Sequence, residues 1–116
     1  MKHITYAEKS VLIGDEAADV LLEYAAALTT AGRGDKVDVY AQSADGDEIV
    51  ASFVLGDGVS IMAETTTSTA PEPDNSEAMA YMRRQMAEIS ATRRAVPMDG
   101  ADAEIENIED EFQLGL

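Results

Sequence analysis

An α+β fold with the order β-β-α-β-β-β-α is what this sequence predicts: a five-stranded, mainly antiparallel sheet with one helix packed on it and a second, C-terminal helix. Three stretches carry the prediction. Residues 15–32, DEAADVLLEYAAALTTAG, show the three- and four-residue apolar spacing of a core helix; residues 36–55 alternate as two strands around Asp45 and Gly46; and residues 79–89 place an apolar side chain every three or four positions.

The elements follow in order. His3 to Tyr6 and Ser10 to Ile13 are β-prone runs separated by Ala7, Glu8 and Lys9, a connection of hairpin length. Asp15 then stands where its carboxylate can accept from the free N–H groups of a helix start, with Glu16 and Asp19 near the positive end of the dipole. Ala18, Leu21, Leu22, Ala25 and Leu28 form one apolar stripe, and Gly32 is the residue type that commonly ends a helix. That stripe needs a sheet to cover. Val37, Val39 and Ala41 alternate with Asp38, Tyr40 and Gln42, Asp45 and Gly46 suit a positive-φ hairpin turn, and Ile49, Ala51, Phe53 and Leu55 return on one face. The other face, with Tyr40, Val50, Ser52 and Val54, is mixed, and what covers it stays open. After a turn at residues 56–58, Val59, Ile61 and Ala63 are expected to form the third strand of a meander.

Residues 1–64 thus read as the α+β core. Residues 65–73, polar with two prolines, read as a linker that leaves the sheet. An amphipathic helix is expected over 74–96, started by Asp74, Asn75 or Ser76 with Glu77 in a capping-box position and stopped by Pro97. Residues 97–116 read as a flexible acidic tail in which Ile105, Ile108 and Phe112 keep a spacing that could dock as a helix.

Composition narrows the function classes. At 116 residues the chain has room for one domain, and its 23 acids against 8 bases give a formal charge of −15, which repels phosphate backbones and anionic lipids. Direct nucleic-acid or membrane binding is not expected. By segment the charge is −9 over residues 1–73, +1 over 74–96 and −7 over 97–116. With no cysteine, thiol catalysis, disulfides and thiolate metal sites are excluded, and a reducing, cytoplasmic setting fits. No run of about 18 apolar residues is present to span a bilayer, and the N-terminus lacks a continuous apolar signal core.

The candidate chemistry is sparse. His3, the sole histidine, has no nucleophile or metal-ligand motif beside it in sequence. Asp45, Asp47 and Glu48, like Asp99 and Asp102, cluster without matching an ion loop, and the glycines form no phosphate-binding motif. The sequence therefore predicts no catalytic residue, cofactor or metal. The interface residues it points to lie on the second helix: Met79, Met82, Met86 and Ile89 as the apolar seam, with Arg83, Arg84, Arg93 and Arg94, half of all the bases, able to grip carboxylates of the tail, of a second copy or of a partner. The seam serves either the chain's own core or a homodimer, and both readings stand at this point.

The run KSVLIGDEAADVLLEYAAAL, with APEPDNSEAMAYM and the acidic C-terminus, resembles small acidic hypothetical proteins of high-GC Gram-positive bacteria, a group to which no activity is assigned. The resemblance implies a cytoplasmic protein and supplies no function. The element order is also similar to roadblock and profilin-like scaffolds after loss of a leading helix, which implies dimerisation or partner binding and transfers no residue. The expectation is a protein–protein interaction or assembly domain, self-associating through the 79–89 seam. Two alternatives remain: an acidic decoy or inhibitor of a basic, nucleic-acid-binding protein, and a small-molecule binder or enzyme.

Overall fold

The computed structural model describes the backbone of residues 1–95 and the side chains of residues 1–92. The order is β1 (Lys2–Tyr6), β2 (Lys9–Ile13), α1 (Asp15–Ala31), β3 (Gly34–Gln42), β4 (Glu48–Gly56), β5 (Ile61–Thr65) and α2 (Ser76–Ala95). This is the expected α+β fold with its five-stranded antiparallel sheet and two helices. The chain divides into two units, Met1–Met86 and Ala87–Leu116. The first holds the sheet, α1 and the first part of α2; of the second, the described residues are the remaining turns of α2, where Ile89 is buried. Neither described helix is long and apolar enough to cross a membrane.

The strand order β4-β3-β2-β1-β5 corrects the meander, because β5 pairs with β1 and not with β4. The reason lies in how the sheet curls. β2 and β3 are joined by one bridge, Leu12 to Gln42, whereas β3 and β4 pair from Gly34–Gly56 to Gln42–Glu48. At that thin seam the two ribbons fold toward each other, so Tyr6 of β1 reaches β4: its ring lies 5.5 Å from that of Phe53, edge to face, and its hydroxyl donates to the Val54 carbonyl at 2.5 Å. The end of β4 is thereby brought beside the free side of β1. A turn through Gly56, Asp57 and Gly58, all at positive φ, then delivers Ile61 opposite Tyr6.

Two local expectations also change. α1 begins after Gly14, which makes no side-chain cap, so Asp15 is the first helical residue and cannot serve as its cap. Its N–H is met instead by the Glu72 carboxylate at 3.3 Å. A Cβ on Gly14 would stand 2.8 Å from a Glu72 oxygen, so a larger residue there would displace that flexible carboxylate from the helix start. In the second hairpin only Gly46 takes positive φ; its N–H donates to Ser43 and the Ser43 N–H to Asp47, a wider loop than an Asp45–Gly46 pair would close.

The core fills the inner face. Ile4, Ile13, Val37, Val39, Ala41, Phe53 and Leu55 of the sheet are buried, as are Ala18, Leu21, Tyr24, Ala25 and Leu28 of α1. Each large apolar side chain so covered contributes about 1.5–3 kcal/mol. α1 ends at Gly32, in the left-handed conformation, with its N–H on Thr29 and that of Arg33 on Leu28.

Candidate functional site

β3 has two sides along its length, and only one is occupied throughout by a strand. Before Gln42 no β2 residue pairs on its second side, and there the side chain of Asn75 takes the place of a strand. Its Oδ1 accepts from the Tyr40 N–H at 2.7 Å and its Nδ2 donates to the Tyr40 carbonyl at 2.8 Å. Asn75 is the one buried polar residue among those described, and both ends of its amide are satisfied by this pairing. Asp74 accepts from the N–H and hydroxyl of Ser76, which holds its carboxyl below the usual range, and the Met79 N–H goes to the Asn75 carbonyl, so α2 starts beside β3.

One turn into α2 a second clasp forms. Asp35, half-buried near the start of β3, accepts from the hydroxyls of Tyr24 on α1 and Tyr81 on α2, each at 2.5 Å, and from the Lys36 N–H at 2.8 Å. The two tyrosine rings meet edge to face, 6.4 Å apart. Burial pushes the Tyr24 hydroxyl far above its usual pKa and the bond to Asp35 adds to this; for Tyr81 the bond to Asp35 is the first cause of a rise and burial the second. Burial alone would raise the Asp35 carboxyl, but the three donated bonds outweigh it and hold the group below the usual carboxylate range. The cluster is a carboxylate saturated by neutral donors, which fastens three elements and leaves no nucleophile.

Between this start of α2 and the outer face of the hairpin runs an open groove of about 740 Å³. Tyr40 and Val50 line it together with Asp38, Asp74, Glu77 and one base, Lys36. Lys36 lies 3.5 Å from Asp38, whose carboxyl is held low chiefly by the Ser52 hydroxyl. Tyr40, Val50 and Val54 are 58, 59 and 60% exposed, three large apolar side chains on a sheet face that no described element covers.

The inner edge of β4 borders a second opening. An apolar crevice of about 520 Å³ lies between the β1–β2 hairpin and β4, walled by Ile4, Val11, Ile49, Ala51 and Phe53, with Tyr6 across one end.

The residues singled out from sequence are distributed differently from a single exposed seam. Met82 is fully buried within the chain, Ile89 is buried, and Met79 and Met86 are half-buried. Arg83 and Arg84 are exposed, and Arg83 reaches Glu16 in the first turn of α1 at 2.6 Å. So exposed a pair adds no more than about 1 kcal/mol. The side chains of Arg93 and Arg94, and the tail positions Ile105, Ile108 and Phe112, lie outside those described. His3 is exposed on β1 opposite Glu64, and among the described residues no three acidic or histidine side chains converge as a metal site. Sequence reasoning offered Asn75 only as a cap of the second helix, and missed its pairing with β3 and the Tyr24–Asp35–Tyr81 clasp. Only the apolar character of Tyr40, Val50 and Val54 on an alternating strand pointed toward the exposed face.

No protein-family model, curated protein or solved structure matches the chain.

Proposed function

We propose that this chain is a protein–protein interaction and assembly domain that self-associates, and that its working surface is the outer face and free side of the β3–β4 hairpin. The supporting observation is the exposure of Tyr40, Val50 and Val54 together on one sheet face. A half-solvated strand ordinarily turns polar residues outward. β4 turns out two valines beside Glu48 and Ser52, and it carries no lysine, proline or bulge of the kind that blunts a strand at the margin of a sheet. A dimer through the α2 seam, by contrast, would have to exchange α2 between copies, since Met82 is fully covered within one chain.

Light scattering over a concentration series tests this on wild type and a Val50→Lys/Val54→Lys variant. Wild type should gain mass with concentration while the variant stays monomeric with an unchanged melting temperature. Monomeric wild type at every concentration, or a variant that associates equally well, would overturn the reading.

The groove favours a second reading, an acidic decoy for a basic partner: Tyr40 and Val50 beside Asp38, Asp74 and Glu77, with Lys36 the one base, suit a segment with basic and apolar side chains. Salt separates the two. Binding of a basic partner weakens as salt is added, whereas two chains of −15 repel less under screening and associate more tightly.

A further inference from the structure

We infer that two copies join side by side through β4, antiparallel about a two-fold axis at Val50, so that the sheet of one molecule continues into the next; this rests on the self-association proposed above. The orientation of the backbone carries the argument. Tyr40 gives both its N–H and its C=O to Asn75, away from β4. In an antiparallel ladder, opposed residues exchange both bonds or neither. Val50 is opposed to Tyr40, so its N–H and C=O point away from β3, and by alternation so do those of Glu48, Ser52 and Val54. Tyr6 corroborates this, because its hydroxyl sits on the Val54 carbonyl from that side.

Tyr6 also restricts the register. With Val54 occupied, Glu48, Val50 and Ser52 remain as outward-facing residues, and among the described residues none of their backbone groups on that side has a partner. Only a two-fold at Val50 pairs all three without using Val54: Val50 with its own copy, and Glu48 with Ser52. Centring the axis at Ser52 would set Val50 against the engaged Val54.

Charge and shape agree with a second copy as the occupant. β4 contains one acid and no base in a chain of −15, and this register places that acid against a serine, so no carboxylate faces another across the ladder. On the inner side, Ile49 would stand opposite the partner copy's alanine at position 51, at the mouth of the 520 Å³ crevice walled by Ile4, Val11 and Phe53. Each copy would thus supply an isoleucine to the other's apolar crevice. A contact confined to one strand per copy is small as interfaces go, so the dimer is a weak, concentration-dependent one.

The absence of native cysteine makes single-cysteine reporters clean. Cα atoms of a bonded antiparallel pair stand about 5.5 Å apart, inside disulfide range. Under mild oxidation Val50→Cys should form a covalent dimer and Val54→Cys should stay reduced. Val50→Pro removes only an N–H that β3 does not use, and should weaken association by at least about tenfold while leaving the melting temperature near wild type. Should Val50→Pro fail to fold, the cysteine pair still decides. A wild type that associates but cross-links at position 54, or at neither, overturns this geometry and spares the self-association reading. A wild type monomeric at every concentration overturns both.

Discussion

On the inner face of the β3–β4 hairpin, Val37 and Phe53 oppose each other and are each 4% exposed; on the outer face Tyr40 and Val50 oppose each other and are more than half exposed. Both pairs lie in one antiparallel ladder and their residue types are alike, so β propensity cannot account for the difference. What differs is the third layer. α1 covers the inner face, and its apolar stripe has its match there, while the outer face receives only the margin of α2, where Asn75 bonds the Tyr40 backbone. The lesson is that an apolar pair on a sheet is a demand for cover, and this chain meets the demand on one face.

The sharpest way to break that contrast is to cut one side chain from each face. Phe53→Ala should lower unfolding free energy by about 3–5 kcal/mol in a denaturant titration, the ordinary cost of emptying a buried aromatic site. Its neighbour Val54, changed to serine, should cost less than about 0.5 kcal/mol. Equal losses would mean the outer face is covered after all. Between these extremes lies the pairing at Asn75: Asn75→Ala strands the Tyr40 N–H and C=O, and should cost about 2–4 kcal/mol. A smaller change would show water reaching the backbone there.

The inner face ends on a charge, and pH sharpens that end. Asp35 titrates below its unfolded value of about 3.9, so its contribution is complete above that pH and is lost as pH falls toward the folded value. Tyr24 and Tyr81 titrate above about 10, so theirs is complete below that pH and is lost as pH rises further. Thermal melts should therefore show two declining limbs, with Tyr24→Phe flattening the alkaline one and Asp35→Asn the acid one. Unchanged limbs in both variants would remove the clasp from the account of stability. The one gain expected is at the first hairpin turn, where Ala7 holds φ at 55°, a conformation glycine adopts without cost. Ala7→Gly should raise stability by up to about 1 kcal/mol.

Local pattern made α1 and both hairpins legible, because periodicity and turn residues are written within a few positions of one another. The partner of β5 was not, since which strand lies next to it depends on the curl at the Leu12–Gln42 bridge, and no local residue pattern records a curl. Nor was the start of α1: a carboxylate 57 residues along the chain does the work expected of Asp15. The same holds for the site. Tyr40, Val50 and Val54 could be seen to share a face, but their exposure depends on where α2 comes to rest. Asn75 was read as one of several caps for α2, and its amide is spent on β3. For the α2 seam the expectation was self-association, with a place in the chain's own core as the competing reading, and Met82 lies fully inside the single chain.

The single bridge between β2 and β3 has a mechanical corollary. If the two ribbons were pulled apart, as in a force-spectroscopy experiment with handles on β2 and β3, rupture would begin at Leu12 and Gln42, where the fewest backbone bonds resist separation. The long β3–β4 ribbon would come away whole, and the short connection from β4 to β5 would act as the tether that limits how far they part.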